Sequence, residues 1–255
     1  MATGQDAARI SLRPLESLAE FREALKLQRE IWGFEEIELL PLRLFVVARK
    51  VGGQVIGAFD DSAVDRPMIG FLLAIPGLNR DGVYLHSHMM GVQTRYRNLG
   101  VGRSLKLAQR EEALQRGVRL IEWTFDPLEI KNAFFNIERL GAIVRRFVPN
   151  QYGTTSSPLH GGLPTDRCVA EWFLASERVR GVVAGGPAPH GEILARVGVP
   201  RDIAEIRRND PRRALEIQRG VSSGVLENLA RGLAVTGLEL TPEAAVYLFS
   251  KWHSE

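Results

Sequence analysis

The sequence predicts an α/β (α+β) protein in which helices flank a central sheet. Three consecutive strands are indicated by apolar runs that Asp-Asp, Pro-Gly and Asp-Gly turns separate, at 53–59, 68–75 and 83–92. A helix before them is indicated by the capping box of Ser17 and Glu20 and by the stop at Gly33. A helix after them is indicated at 103–115, which contains neither proline nor glycine. This order of signals favours the mixed class.

Further elements follow from the same signals along the chain. A short strand at 10–12 precedes the first helix, and an apolar segment at 39–47 is interpreted as a second helix. The signals then indicate a strand at 119–125, a helix at 129–140 ended by Gly141, and strands at 142–149 and 167–174. A C-terminal β-α-β-β set follows, with a strand at 193–199, a helix from Asp210-Pro211, and a hairpin of 233–240 and 244–249. We predict a core domain at 8–178, a linker at 179–191 and an extension at 192–255.

Composition narrows the class of protein. The 255 residues are 45% hydrophobic and 25% charged, which is ordinary for a globular chain with a sizeable core. The net charge of +3 is small, and the arginines at 201–219 alternate with acidic residues, so no nucleic-acid partner is expected. The single cysteine, Cys168, provides no disulfide framework and no metal cluster, so no metal is expected. Without a signal region or a membrane span, we expect a cytoplasmic protein with no membrane partner.

The most informative motif is the stretch from Arg97 to Gly102, between a strand and a helix. At such a junction the first N–H groups of the helix lack intrahelical acceptors, and the helix dipole favours an anion. Gly100 and Gly102 leave room for a ligand and allow unusual backbone angles. Cations surround the turn, namely Arg95, Arg97, Arg103 and Lys106. The pattern predicts a phosphate-binding loop, although a plain glycine turn with solvated arginines also fits the loop alone.

Two common phosphate loops fit this stretch poorly. A dinucleotide fingerprint needs a third glycine where Leu105 stands, and a Walker A loop needs a lysine where Arg103 follows Gly102. The stretch 92–102 instead resembles the acyl-CoA loop of the GCN5-related N-acetyltransferase (GNAT) superfamily. It matches the pattern Val-x-x-x-Tyr-Arg-x-x-Gly-x-Gly at every position. The predicted order of elements over residues 8–175 also resembles the layout of that superfamily.

The resemblance implies a GNAT fold, with a mixed, mostly antiparallel central sheet, and acetyl-CoA or another acyl-CoA as donor. The implied donor-binding residues are Met90, Gly91, Val92, Arg97, Asn98, Leu99, Gly100, Val101, Gly102, Arg103 and Ser104. We expect main-chain N–H groups near Val92 to polarise the thioester carbonyl. We expect the small C-terminal extension to pack on the core domain, and a homodimer formed through it stays an open alternative.

Acyl transfer to an amine needs a base, and histidine suits this role at neutral pH. His86 and His88 are two residues apart on a strand, so we expect both on one face with Met90 and Val92. The resemblance implies a catalytic role for them, because arylalkylamine N-acetyltransferases carry histidines at both matching positions. Hydrogen-bonded structural histidines are the alternative. Glu122 is a second candidate base, and a plain ion pair with an arginine is its alternative.

Two asparagines and one missing tyrosine complete the candidate site. Asn132 and Asn136 are four residues apart on the helix 129–140, hence on one face. In GNAT proteins that helix lies beside the pantetheine arm, so both are candidate donor ligands, with simple surface polarity as the alternative. Many family members carry a tyrosine acid four residues before the terminal glycine, where this chain has Ile137. Either Tyr152 takes that role, or the thiolate leaves without a dedicated acid.

Further motifs resemble a GNAT subgroup with a C-terminal extension, among them 123–128 and 162–167. Some of its members are linked to N-succinylation of amino acids, which makes succinyl-CoA a second candidate donor. Arg167 could then bind a carboxylate, with a structural pair to Asp166 or Glu171 as the alternative. The sequence thus predicts an N-acyltransferase that moves an acetyl or succinyl group to the amine of a small molecule, such as an amino acid. A non-catalytic acyl-CoA-binding regulatory module is the alternative.

Overall fold

The computed structural model describes residues 9–33, 36–153 and 162–252. The first residue of the predicted core domain, residue 8, and the last three residues of the predicted extension lie outside them. The chain divides into two compact units, Met1–Arg119 and Leu120–Glu255. Each unit is described below by itself.

Over its described residues, 9–33 and 36–119, the first unit is a four-stranded antiparallel sheet with three helices. Its strands are β1 (Ile10–Pro14), β2 (Gln54–Asp60), β3 (Met68–Asn79) and β4 (Gly82–Val92), paired in that order. Its helices are α1 (Leu18–Trp32), α2 (Leu42–Lys50) and α3 (Val101–Gln115), with a 3-10 turn at Thr94–Tyr96. The elements predicted for this part of the chain are therefore confirmed, and α3 begins two residues earlier than predicted.

Local sequence explains how α1 begins, ends and packs. Ser17 Oγ accepts from the N–H of Glu20, whose carboxylate accepts in return from the N–H of Ser17, as the capping box requires. The helix ends at Gly33, whose φ of 64° lies in the left-handed region. Phe21 of α1 packs in a buried cluster with Phe45 of α2 and Phe71 of β3.

At 120–153 and 162–252, the part that the structure describes, the second unit is a six-stranded antiparallel sheet with four helices. Its strands are β5 (Leu120–Phe125), β6 (Ile143–Val148), β7 (Arg167–Phe173), β8 (Ala195–Pro200), β9 (Leu233–Leu240) and β10 (Ala244–Lys251). Their order in the sheet is β5-β7-β6-β9-β10-β8. The helices are α4 (Ile130–Phe134), α5 (Glu177–Val183), α6 (Ile203–Asn209) and α7 (Pro211–Ala230). Together the two units confirm the predicted α/β class with a mostly antiparallel sheet flanked by helices.

Three local predictions in the second unit need correction. The predicted helix 129–140 is α-helical only to Phe134 and continues as a π-helical turn at Phe135–Arg139. The first residues of the predicted linker 179–191 belong to α5, because Ser176 caps the N–H of Val179 and starts a helix there. The predicted extension contains two helices instead of one, since Asp210 ends α6 and then caps α7 through the N–H of Arg213. Its strand β9 pairs with β6 at Val235 and Val144, so the extension continues the sheet.

Candidate functional site

The loop between β4 and α3 leaves the N-terminus of α3 uncapped. Gly100, the N-cap residue, has a φ of 83° and offers no side chain, and Asn98 is also left-handed at 65°. The first turn of α3 contains no acidic residue. The first helical bond runs from the N–H of Ser104 to the carbonyl of Gly100 at 3.0 Å. Because earlier N–H groups have no intrahelical acceptor, Val101, Gly102 and Arg103 present donors where the helix dipole favours an anion.

The two glycines of this loop differ in what they require. At Gly100 an added Cβ would meet nothing within 4 Å, so the positive φ alone favours glycine there. At Gly102 the φ is not positive, and an added Cβ would stand 3.6 Å from Met90 Cε, an ordinary contact. Gly100 is thus needed for the backbone conformation, whereas Gly102 keeps the first helical turn open.

Tyr96 connects the loop to the end of β2 by a hydrogen bond. Its hydroxyl donates to Asp60 Oδ2 at 2.6 Å, and both residues are buried. Asp60 also accepts from the N–H of Ser62 at 3.0 Å and from the Ser62 hydroxyl. Bonds from Ser62 and then Tyr96 lower the pKa of Asp60, and the bond to Asp60 raises the pKa of Tyr96. The role of Asp60 in holding the loop was not predicted, because the sequence indicates only that Asp60 belongs to an Asp-Asp turn.

Lys106 does not belong to the cations around the loop, contrary to the prediction. Its side chain is buried, and its ammonium donates to Ser87 Oγ at 2.8 Å and Gln109 Oε1 at 3.1 Å. Desolvation lowers its pKa well below the ordinary value. The helical period turns position 106 toward the sheet, and the loop sequence gave no sign of this. Arg95 does lie at the loop, with its guanidinium 4.9 Å from the centre of the Tyr96 ring.

A β-bulge lies at His88 in the middle of β4. Met89 pairs with Leu73 and Ser87 pairs with Ala74, so His88 is the extra residue of the bulged strand. His86 and His88 are neighbours, with ring centres 6.0 Å apart. His86 is partly buried and His88 is exposed. Although the side chain of His88 reaches solvent, the surrounding protein desolvates its ring in part and lowers its pKa, which favours the neutral form that a base needs.

The bulge changes which residues of β4 lie on the same face of the strand as His86. The prediction that His86, His88, Met90 and Val92 lie on one face is wrong, because an extra residue reverses the alternation beyond it. Met90 and Val92 instead approach α3, as their contacts at the Gly102 position show. His86 lies opposite Ile75 of β3, which packs on the cluster formed with α1 and α2. Gly91 also faces α1, since an added Cβ would stand 2.5 Å from the Trp32 ring.

In the second unit, Glu122 lies in an ion-pair network. Its carboxylate pairs with the guanidinium of Arg146, which also lies 3.6 Å from Glu171. Glu171 in turn holds Arg145 through two bonds of 2.8 Å. Both carboxylates are buried, and the two glutamates are register partners on β5 and β7. The Glu122 carboxylate is already engaged by a guanidinium, so the contacts favour a structural role for Glu122.

The two asparagines differ in their surroundings. Asn132 lies in α4 and is exposed, whereas Asn136 lies in the π-helical turn and is buried. The α-helix gives way to the π-helical turn between them, and only Asn136 is enclosed by the protein. Asn136 Nδ2 has no hydrogen-bond partner among the described residues. Ile137, at the position of the family tyrosine, is fully buried in the core.

Tyr152 is half exposed and lies beside two other polar side chains. Its hydroxyl stands 3.3 Å from Thr124 Oγ1, and the Arg167 guanidinium lies 5.4 Å from the centre of its ring. Arg167 is buried and donates to the carbonyl of Asp166 at 2.9 Å. The Tyr152 hydroxyl is therefore accessible and could bind a ligand.

The fold has well-defined relatives among solved structures. Arabidopsis thaliana NAA60 in complex with acetyl-CoA matches with a TM-score of 0.54 and 16% identity, over 65% of this chain and 99% of that chain. The NatC complex bound to Gag peptide and CoA matches with a TM-score of 0.51 and 16% identity, over 64% and 98%. An acetyltransferase of the GNAT family from Streptococcus pneumoniae matches with a TM-score of 0.50 and 12% identity, over 64% and 98%. The chain therefore has the fold of the GNAT acetyltransferases.

The relationship is visible in the fold and not in the sequence. No protein-family model and no curated protein matches the sequence. The solved structures are covered almost whole, while about a third of this chain has no counterpart in them. None of the helices in the described parts of the chain is both long and apolar enough to cross a membrane.

Proposed function

We propose that this protein is an acyl-CoA-dependent N-acyltransferase. The observation that carries the proposal is the uncapped N-terminus of α3 behind the left-handed residues Asn98 and Gly100, on a GNAT fold. Asp or Ser would normally cap such a terminus. This chain places Gly100 there and Arg103 in the first turn, which leaves the N–H donors open and adds a positive charge. Both features suit a pyrophosphate.

The donor residues of the proposal are those of the strand end and the loop. The N–H groups of Val101, Gly102 and Arg103 would hold the pyrophosphate, and Gly102 has no side chain in the way. Arg97 is exposed and donates from Nε to the carbonyl of Val92 at 3.3 Å, so its charge stays at the start of the loop. Main-chain N–H groups near Val92 would polarise the thioester carbonyl.

The proposed chemistry is direct attack, without a covalent enzyme intermediate. The amine nitrogen bonds to the acyl carbon, the carbon–sulfur bond breaks, and the CoA thiolate leaves. A base must take the proton that the amine loses, and His86, with His88 beside it, is our candidate. The lowered pKa of His88 keeps that ring neutral at physiological pH, so it can also accept a proton.

The finer specificity is also a proposal. We infer that the acceptor is a small-molecule amine, such as an amino acid, and that the donor is acetyl-CoA or succinyl-CoA. The support is the resemblance of 123–128 and 162–167 to a subgroup linked to amino-acid succinylation. We keep 8–178 as the acyltransferase domain and 192–255 as an extension, because about a third of the chain lies beyond the matched fold.

One observation favours a second candidate, a non-catalytic acyl-CoA-binding module. Ile137, at the position where many GNAT enzymes carry a tyrosine acid, is fully buried and has no proton to give. The two candidates share donor binding and differ in turnover.

A thiol-release assay separates these candidates. Acetyl-CoA and succinyl-CoA are each offered with a panel of amines and amino acids, and free CoA thiol is measured. We expect thiol release that depends on the acceptor with at least one donor. CoA binding without turnover of any pair would favour the binding module, and absence of CoA binding would refute both candidates.

A further inference from the structure

A cavity of about 450 Å³ lies in the second unit, lined by the start of α5, the predicted linker 179–191 and the predicted extension. It is bordered by α5, by the loop that follows α5, and by β9 and β10. The lining residues that matter here are Glu177, Arg178, Pro187, Pro189, Lys251 and Trp252. The volume falls in the range that small-molecule sites occupy in proteins.

Arg178 supplies a buried positive charge to this cavity. Its side chain is 4% exposed, and its guanidinium donates to the carbonyls of Gly141 at 2.9 Å, Pro189 at 2.5 Å and Thr236 at 2.7 Å. These three acceptors are neutral, and in the part of the chain that the structure describes no carboxylate forms an ion pair with it. Desolvation lowers the pKa of Arg178 to about 10, and the Coulombic effect of Glu138 offsets this only in part.

Two of the residues that line the cavity, Arg178 and Trp252, have hydrogen-bond donors to spare. Three of the five N–H groups of Arg178 are bonded to these carbonyls, which leaves two without an acceptor among the described residues. Trp252 Nε1 is buried and likewise lacks a partner among those residues, although the indole ring stacks on Phe173. Thr236 and Ser250 share one hydrogen bond of 2.8 Å between their hydroxyls. Buried donors without acceptors are costly, and a ligand that accepts hydrogen bonds would relieve that cost.

The charges on the lining select the kind of ligand. Arg178 and Lys251 are cations and Glu177 is the one carboxylate among the lining residues, so these residues together carry one net positive charge. A monoanion matches this charge better than a phosphate does. Pro187, Pro189 and the Trp252 ring add apolar surface. We propose that this cavity binds a small organic monocarboxylate, with its carboxylate on Arg178 and the Trp252 N–H.

Calorimetric titration of the full chain tests the proposal with defined probes. The probes are benzoate and propionate as monocarboxylates, benzamide as a neutral analogue, and inorganic phosphate. We expect a monocarboxylate to bind, with affinity lowered about tenfold by Lys251→Gln and by Trp252→Phe, since each removes a charge or a donor. Arg180→Gln, on the exposed side of the same helix, is the matched control and leaves the affinity unchanged.

Arg178→Gln removes the central charge but also carbonyl contacts, so this variant is informative only if it folds. Lys251→Gln and Trp252→Phe keep the test decisive if it does not. The proposal is overturned if benzamide binds as well as benzoate, or if phosphate binds better than either monocarboxylate. It is also overturned if both variants keep the wild-type affinity, or if neither monocarboxylate binds at 10 mM, on the order of the weakest specific sites. Because CoA is absent from these titrations, their outcome does not depend on the proposed acyltransferase function.

Discussion

Gly100→Ala perturbs the proposed donor loop by strain alone. The φ of 83° is unfavourable for any residue with a Cβ, while the added atom meets nothing within 4 Å. The cost is therefore the left-handed conformation itself, about 1–2 kcal/mol. For a protein of this size, about 1 kcal/mol lowers Tm by about 2–4 °C. If the loop relaxes away from the bound conformation, the same energy raises the Kd for CoA by about 5- to 30-fold.

Gly117→Ala is a matched control for this prediction. Gly117 follows the other end of α3, has a φ of 76°, and would also place a Cβ in open space. Both variants should lose similar stability in thermal melts, but only Gly100→Ala should weaken CoA binding in calorimetric titrations. Equal Kd values for the two variants would refute the assignment of the loop to the donor.

Three further predictions concern His86, Lys106 and Asn136. His86→Ala should lower turnover at neutral pH by about 100-fold, the size of a lost general base. The control His190→Ala, in the loop between α5 and β8 where the ring lies beside Glu138, should not lower it. An unchanged rate in His86→Ala rules out His86 as the base. Lys106 has its pKa lowered by burial, so the unfolded chain binds more protons between the folded pKa and about 10.5. The free energy of unfolding in urea, taken as the wild-type value minus that of Lys106→Met, should therefore rise with pH in that window. If this difference stays flat or falls, the burial argument is contradicted. Asn136→Leu replaces a buried amide whose Nδ2 has no described partner, so the free energy of unfolding should rise by about 1 kcal/mol in urea melts; a clear fall would show that the amide is bonded.

The sequence predicted most elements because their signals are local. The capping box of Ser17 and Glu20, the turns between β2, β3 and β4, and the alternation in β5 each act within a few residues. The GNAT pattern at 92–102 likewise predicted a loop whose left-handed residues and open helix terminus the structure contains.

The errors arose where tertiary contacts decide the local geometry. The bulge at His88 reverses the faces of Met90 and Val92, yet nothing in the strand sequence marks an extra residue. The predicted helix 129–140 contains a π-helical turn at Phe135–Arg139, whereas a helical period of 3.6 was assumed throughout. Lys106 resembled a surface cation, but its ammonium is bound by Ser87 and Gln109 inside the unit.

The central claim is that the N-terminus of α3 binds the pyrophosphate of an acyl-CoA. Backbone amide resonances of residues 100–103 report on this directly, with CoA and pantetheine, which lacks the pyrophosphate, as paired ligands. The account predicts that CoA shifts these resonances strongly and that pantetheine leaves them nearly unchanged. Binding of CoA without any shift at residues 100–103 would contradict it.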